Sequence, residues 1–227
     1  GLRLCRHSRH DHNVSMRLDH LSYAAGPEGL AATTAQIGAV LGEAFVDGGL
    51  HPRFGTRNAV LPLRGGHYVE VVEVLDHPAS DKVPFGQVVR MRSRAGGGWV
   101  GWVVAVEDID PVEQRLQRPA VQGNRHRPDG YELRWKQLGV RGLQADPQLP
   151  FFVQWEVNAG DHPSAGATGD ICLAKLEIAG EPSRVADWLG SPPAELVEDV
   201  DIVWNSPREA PGLLAAHFRT PDGVVRI

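Results

Sequence analysis

The sequence predicts an α+β protein built from repeated β-α-β-β-β units, and three observations carry that expectation. Short runs alternate apolar and polar residues with period two, separated by Gly- and Pro-rich turns. One stretch, residues 30–45, instead repeats its apolar residues at spacings of three and four. The same order of elements then starts again twice along the chain. Helices between strands favour a parallel sheet, whereas hairpin-like pairs within each unit favour an antiparallel one. The expectation is a mixed sheet with helices outside.

In the first unit, residues 16–79, a strand over 17–24 places Leu18, His20 and Ser22 on one face and Leu21 and Tyr23 on the other. Pro27 and Glu28 open a helix whose stripe is Leu30, Thr34, Ile37, Leu41 and Phe45, and Gly48-Gly49 stops it. A short strand near 51–54 precedes two more, at 58–63 and 68–75, joined by Arg64-Gly65-Gly66. Residues 80–97 read as a Pro- and Gly-containing connector. In the second unit, 98–160, residues 99–106 form a strand, and Asp110, Pro111 and Glu113 mark a helix start. Strands at 131–137 and 151–157 close that unit. The third, 161–227, has a strand at 171–179, a helix at 182–189 ended by Gly190, and strands near 200–204, 213–219 and 224–227. Leu18–Ala24 and Leu173–Ala179 match at Leu, Leu and Ala, which sets Lys175 opposite His20.

Composition narrows the functional classes. At 227 residues the chain can bury a core, and its formal charge of -5 with scattered Arg and Lys argues against a nucleic-acid partner. The densest basic run, Arg90 to Arg94, reads as a solvated helix end. No apolar run approaches the roughly 20 residues that span a bilayer. Two cysteines, Cys5 and Cys172, in unrelated contexts imply neither a disulfide framework nor a cysteine metal site, and a reducing cytoplasm is expected. Residues 1–15 lack an apolar core or periodicity and are expected to be a disordered leader or added remnant, with Met16 as the natural start.

A His in the first strand and a Glu in the fourth strand of a β-α-β-β-β unit, His20 in LDHLSYA and Glu70 in HYVEVVEV, resemble the metal-binding pattern of vicinal oxygen chelate proteins. The segment HPRFGTRN leading into Tyr68-Val69-Glu70, together with FFVQWE, DHPSAG and TPDGVVRI, is similar to the glyoxalase-like branch of that superfamily, over roughly residues 16–227. The resemblance implies paired units curling around a cleft and often a divalent metal, here Zn, Fe, Mn, Co or Ni. It also implies action on a small oxygen-rich metabolite, as a lyase, isomerase or dioxygenase.

Strand parity agrees with a metal on His20 and Glu70, since Glu70 shares a face with Tyr68 and Val72 and turns away from Val69, Val71 and Glu73. His51, at the mouth of the unit, is a catalytic or substrate-contacting candidate, and as a third ligand it would complete a two-histidine, one-carboxylate arrangement with open positions. Tyr68 and Asn58 are expected to line the substrate site. By the same parity Gln154 stands where a second Glu70 would be, and Glu156 beside it is the remaining carboxylate for proton transfer. Lys175 opposite His20 would repel a nearby dication and would instead hold an anionic substrate. The alternative is a metal-free binder of small molecules in which Glu70 pairs with Lys175 and Tyr68 and Phe152 are walls. Trp155 is expected in the core, and His162 on the surface. A homo-oligomer is compatible with the sequence.

Overall fold

The alternation after Met16 folds as β1 (Met16–Ala24) in a computed structural model that describes residues 16–196, 199–205 and 210–227. The expectation for residues 1–15 lies outside these. The first unit continues with α1 (Leu30–Leu41), β2 (Val46–His51), β3 (Thr56–Pro62) and β4 (Tyr68–Val74). The helix stops at Gly42, whose left-handed φ of 80° closes the last turn, three residues before Phe45. The second unit comprises β5 (Gly98–Val106), α4 (Asp110–Leu116), β6 (Val121–His126), β7 (Glu132–Leu138) and β8 (Phe151–Trp155).

Each unit folds in the same way. β1 pairs in parallel with β4, which is followed by antiparallel β3 and β2; β5 pairs in parallel with β8, followed by antiparallel β7 and β6. The two arcs join along β1–β5 and, through Leu50 and His126, along β2–β6, closing an eight-stranded barrel. Val69 and Val71 of β4 face outward, in the same apolar core as Ile37 and Leu41 of α1, whereas Val72, Val103, Leu133 and Phe151 belong to a second core that fills the lumen.

Two stretches escape the period-based reading. The stretch 80–97 is no bare connector: it holds short α2 (Ala79–Lys82) and α3 (Pro84–Arg94), and α3 adds Phe85, Val88 and Val89 to the lumen core. Its basic last turn is Arg92 and Arg94, as the charge run suggested. β6 was hidden because VQGNRH lacks an apolar alternation; its neighbours in the barrel, not its own side chains, make it a strand.

The third stretch forms β9 (Cys172–Ala179), α5 (Pro182–Leu189), β10 (Asp201–Asn205), β11 (Gly212–Thr220) and β12 (Gly223–Arg226), with the strands in a separate four-stranded sheet of order β10-β9-β11-β12. The element order is again β-α-β-β-β, but here the first strand pairs in parallel with the second and not with the fourth, so the stretch does not form a third arc of the barrel. This sheet packs Leu173, Leu176, Ile178 and Phe218 into the outer core with Leu18 and Trp102 of the barrel. Cys172 is buried and disulfide-bonded, against the expectation of two unrelated cysteines. Among the described residues no helix is long and apolar enough to cross a membrane.

Candidate functional site

The site begins with an irregularity. β1 pairs with β5 as Leu18↔Val104 and then His20↔Val103, so Asp19 is an extra residue at a β-bulge. The bulge breaks the simple parity that grouped Leu18 with His20: Leu18 joins the outer core, while His20 lines the barrel cavity. The parallel register then sets His20 beside Tyr68 and Ser22 beside Glu70. Tyr68 stacks on the His20 ring, with centroids 4.4 Å apart and planes at 13°.

The polar floor of the cavity is a chain of contacts. His20 Nδ1 lies 2.8 Å from Asp19 Oδ2, and His20 Nε2 lies 3.7 Å from Glu70 Oε1. Ser22 Oγ donates to Glu70 Oε1 at 2.6 Å and Asn58 Nδ2 donates to Glu70 Oε2 at 2.8 Å. Arg125 in turn donates to Asn58 Oδ1 at 3.2 Å. Asp19 is fully buried and also takes hydrogen bonds from Trp155 Nε1 at 3.1 Å and from His162 at 2.9 Å, and Arg17 approaches it to 3.0 Å.

The electrostatics follow from these contacts. Burial works against every charge here, raising carboxylates and lowering imidazoles. For His20 the two carboxylates Asp19 and Glu70 outweigh it and hold the imidazole up at about 9. For Glu70, His20 foremost, with His51 and Ser22, outweighs burial and brings the carboxyl down to about 2. Asp19 is likewise held well below the usual carboxylate range by His162 and His20. Among the described residues no carboxylate is in hydrogen-bonding contact with His51; burial dominates and drives it down to about 4, so it is neutral. Its Nδ1 lies 2.9 Å from Thr56 Oγ1.

Above this floor is a cavity of about 450 Å³, counting its mouth. Its walls are aromatic: Phe54 from the β2–β3 turn, Phe85 from α3, Trp135 from β7, and Phe151 and Trp155 from β8. Gly123 on β6 makes the room that Trp135 occupies, since a Cβ there would lie 2.4 Å from the indole.

The structure thus brings together His20, Glu70, His51, Asn58 and Tyr68 from the expected set. It separates the others. Gln154 faces away from the lumen and accepts a hydrogen bond from the Ile109 amide at 2.9 Å, because on β8 the inward residues are Phe151, Val153 and Trp155. Glu156 is exposed and receives Gln122, so it is no proton-transfer group of this cavity. Lys175 sits in the second sheet, opposite Asp201 and His217, so it is not the partner of Glu70. Phe152 packs outward near Trp188 and is not a wall. Trp155 and His162, expected in the core and on the surface, both converge on Asp19. Sequence reading missed Asp19, Arg125, Trp135, Gln137, Phe54 and Phe85. The aromatic alternation of β7 was visible and flags Trp135; nothing local flags Arg125.

A divalent ion takes nitrogen and oxygen donors at about 2.0–2.2 Å with free lone pairs. Here Glu70 already accepts from Ser22 and Asn58, and His20 lies between two carboxylates that favour its protonated, non-ligating form. Arg125, a buried cation, stands one residue away from Glu70 through Asn58. Among the described residues, no three His, Cys, Asp or Glu side chains are grouped to hold an ion. The donor set does not fit a divalent metal.

Residues 18–196 match the family described as the glyoxalase-like domain. Among solved structures, a hypothetical protein from Staphylococcus aureus superposes with a TM-score of 0.58 at 18% identity, covering 93% of this chain and 85% of that one. Methylmalonyl-CoA epimerase from Mycobacterium tuberculosis gives a TM-score of 0.41 at 16% identity, over 61% of this chain and 86% of that one. A hypothetical protein from Bacillus halodurans C-125 gives 0.41 at 15% identity, over 64% and 96%. At such identities the likeness concerns the fold alone. No curated protein matches in sequence. Since the family match covers well over half of the sequence, the chain belongs to the glyoxalase-like domain family.

Proposed function

We propose that the barrel cavity binds a small organic molecule bearing oxygen, and that it does so with an ion pair on its floor in place of a resident divalent metal. The observation that carries this reading is the environment of Glu70. Its two oxygens are taken by Ser22 and Asn58, and the neighbouring charge is the His20 imidazole instead of a vacant donor. A carboxylate saturated in this way orients a ligand by electrostatics and shape, while the aromatic walls supply most of the buried contact. The test is elemental analysis of purified protein after incubation with Zn, Mn, Fe, Co or Ni. The expected result is no stoichiometric metal. One equivalent of metal that disappears in both His20→Ala and Glu70→Gln would restore the metal reading.

A second reading is favoured by one specific observation. His20 and His51 face the same cavity in opposite states, one held up at about 9 and the other down at about 4. The protonated His20 can donate a proton to a carbonyl oxygen, and the neutral His51, whose basicity burial weakens, is an unprotonated acceptor facing the same cavity. On this reading the protein is a proton-transfer enzyme acting next to a carbonyl. Exchange of the α-hydrogen of a bound carbonyl compound in D2O, lost in His51→Ala, separates it from simple binding.

A further inference from the structure

The charges around the cavity pair off with one left over. Asp19 is held by Arg17 at 3.0 Å and His20 at 2.8 Å, and Glu70 faces His20 at 3.7 Å. Arg125 is 4% exposed, lines the cavity, and makes no ion pair among the described residues. The one hydrogen bond its side chain makes there is to Asn58 Oδ1, a neutral oxygen. Asn58 is also what keeps Arg125 from Glu70, because its amide nitrogen occupies Glu70 Oε2 while its oxygen receives the guanidinium. A guanidinium has five donors in a planar fork, and burying it with one neutral partner is costly.

Local backbone makes space for this arrangement. Gly48 lies at a bulge of β2, and a Cβ there would stand 2.0 Å from Asn58 Oδ1 and 2.6 Å from an Arg125 nitrogen. The cavity that Arg125 lines is also lined by Tyr68 and by the rings of Phe54 and Trp135, whose centroids are 6.3 Å apart. A cation that the fold buries, separates from its nearest carboxylate and aims at an aromatic-walled cavity is built for an anion arriving from outside. The planar fork matches a carboxylate with two parallel hydrogen bonds.

We infer that Arg125 is a specificity-determining residue that receives the carboxylate of a small aromatic or short-chain monocarboxylic acid, whose apolar body lies between Phe54, Phe85, Trp135 and Phe151. The inference rests on the proposed cavity reading and names its ligand class.

Calorimetric titration and tryptophan fluorescence of the full chain, in the presence of EDTA, test it with three probes of one shape: benzoate, benzamide and benzyl alcohol. Benzoate should bind at least about tenfold tighter than either neutral probe, since charge-assisted bonds to Arg are about twice as strong as neutral ones. Arg125→Met should remove that preference, and Arg125→Lys, which keeps the charge and loses the fork, should retain only part of it. Without ligand, Arg125→Met should melt at or above the wild-type temperature, because an apolar chain of similar length replaces an unpaired buried charge. Equal binding of benzoate and benzamide overturns the carboxylate assignment and leaves the cavity reading standing. So does an Arg125→Met variant that still prefers benzoate, or one that melts well below wild type and shows Arg125 to be a structural partner. Benzoate binding that requires a divalent ion keeps the ligand class and overturns the metal-free reading. No binding of any probe overturns both.

Discussion

Between the first and fourth strands of the first half of the barrel, the inward pairs are His20–Tyr68 and Ser22–Glu70. Between the corresponding strands of the second half they are Val103–Phe151 and Ala105–Val153. The two arcs have the same strand order and pairing sense, yet every polar group at these four positions of one half is an apolar group in the other. The second half contributes walls, and the first contributes the floor. Val103 and Val153, at the positions that correspond to His20 and Glu70, offer no donor to a ligand or an ion.

The second strands of the halves show how the same letters reach different ends. β2 reads VDGGLH and β6 reads VQGNRH, so His51 aligns with His126 and Leu50 with Arg125. In β6 the pairing with β7 runs without interruption, and Arg125 turns inward while His126 is exposed. In β2 a bulge falls between Asp47 and Gly49, the face inverts, and His51 turns inward while Leu50 is half exposed. One inserted residue exchanges the side chains offered to the lumen.

The sharpest way to break the comparison is to write the second half into the first. Glu70→Val alone leaves Ser22, Asn58 and His20 facing an apolar group and should cost about 3–5 kcal/mol of stability. His20→Val with Glu70→Val makes the floor resemble the opposite wall. The pair should cost less than the sum of the singles by about 1–3 kcal/mol, as expected of residues in one network. Urea denaturation of the four proteins measures this; additive losses would show that the two side chains are not coupled.

Much of this contrast was legible in the sequence. Period-two alternation put His20, Glu70 and Tyr68 on the inner face, and it also gave the repeat of the element order. What escaped was register. The Asp19 bulge hid a buried carboxylate that contacts two side chains from distant segments, and an error of one residue in β8 set Gln154 where Val153 stands. Arg125 lay on a strand whose own residues carry no β pattern, and Phe85 lay on a helix taken for a connector. In each case the deciding interaction is made with a neighbour far away in sequence, which local periodicity does not encode.

The charged floor also predicts a pH profile. His20 is raised from about 6.5 to about 9, so its contribution is complete below about 6.5 and is lost as pH rises through 9. Glu70 is lowered from about 4.5 to about 2, so its contribution is complete above about 4.5 and is lost as pH falls toward 2. Stability from this pair should therefore peak between about pH 4.5 and 6.5 and decline on either side. In the double valine variant both limbs should flatten. Unchanged limbs would assign them to other groups.

The most direct measurement is the protonation state of the His20 ring. Nitrogen-15 NMR of imidazole-labelled protein at pH 7.5, with His20→Gln for assignment, distinguishes an ion-pair floor from a metal ligand. An ion pair requires both ring nitrogens of His20 protonated and a titration near 9 that added zinc does not perturb. A neutral ring with a bare Nε2 whose resonance shifts on adding one equivalent of zinc would contradict the account.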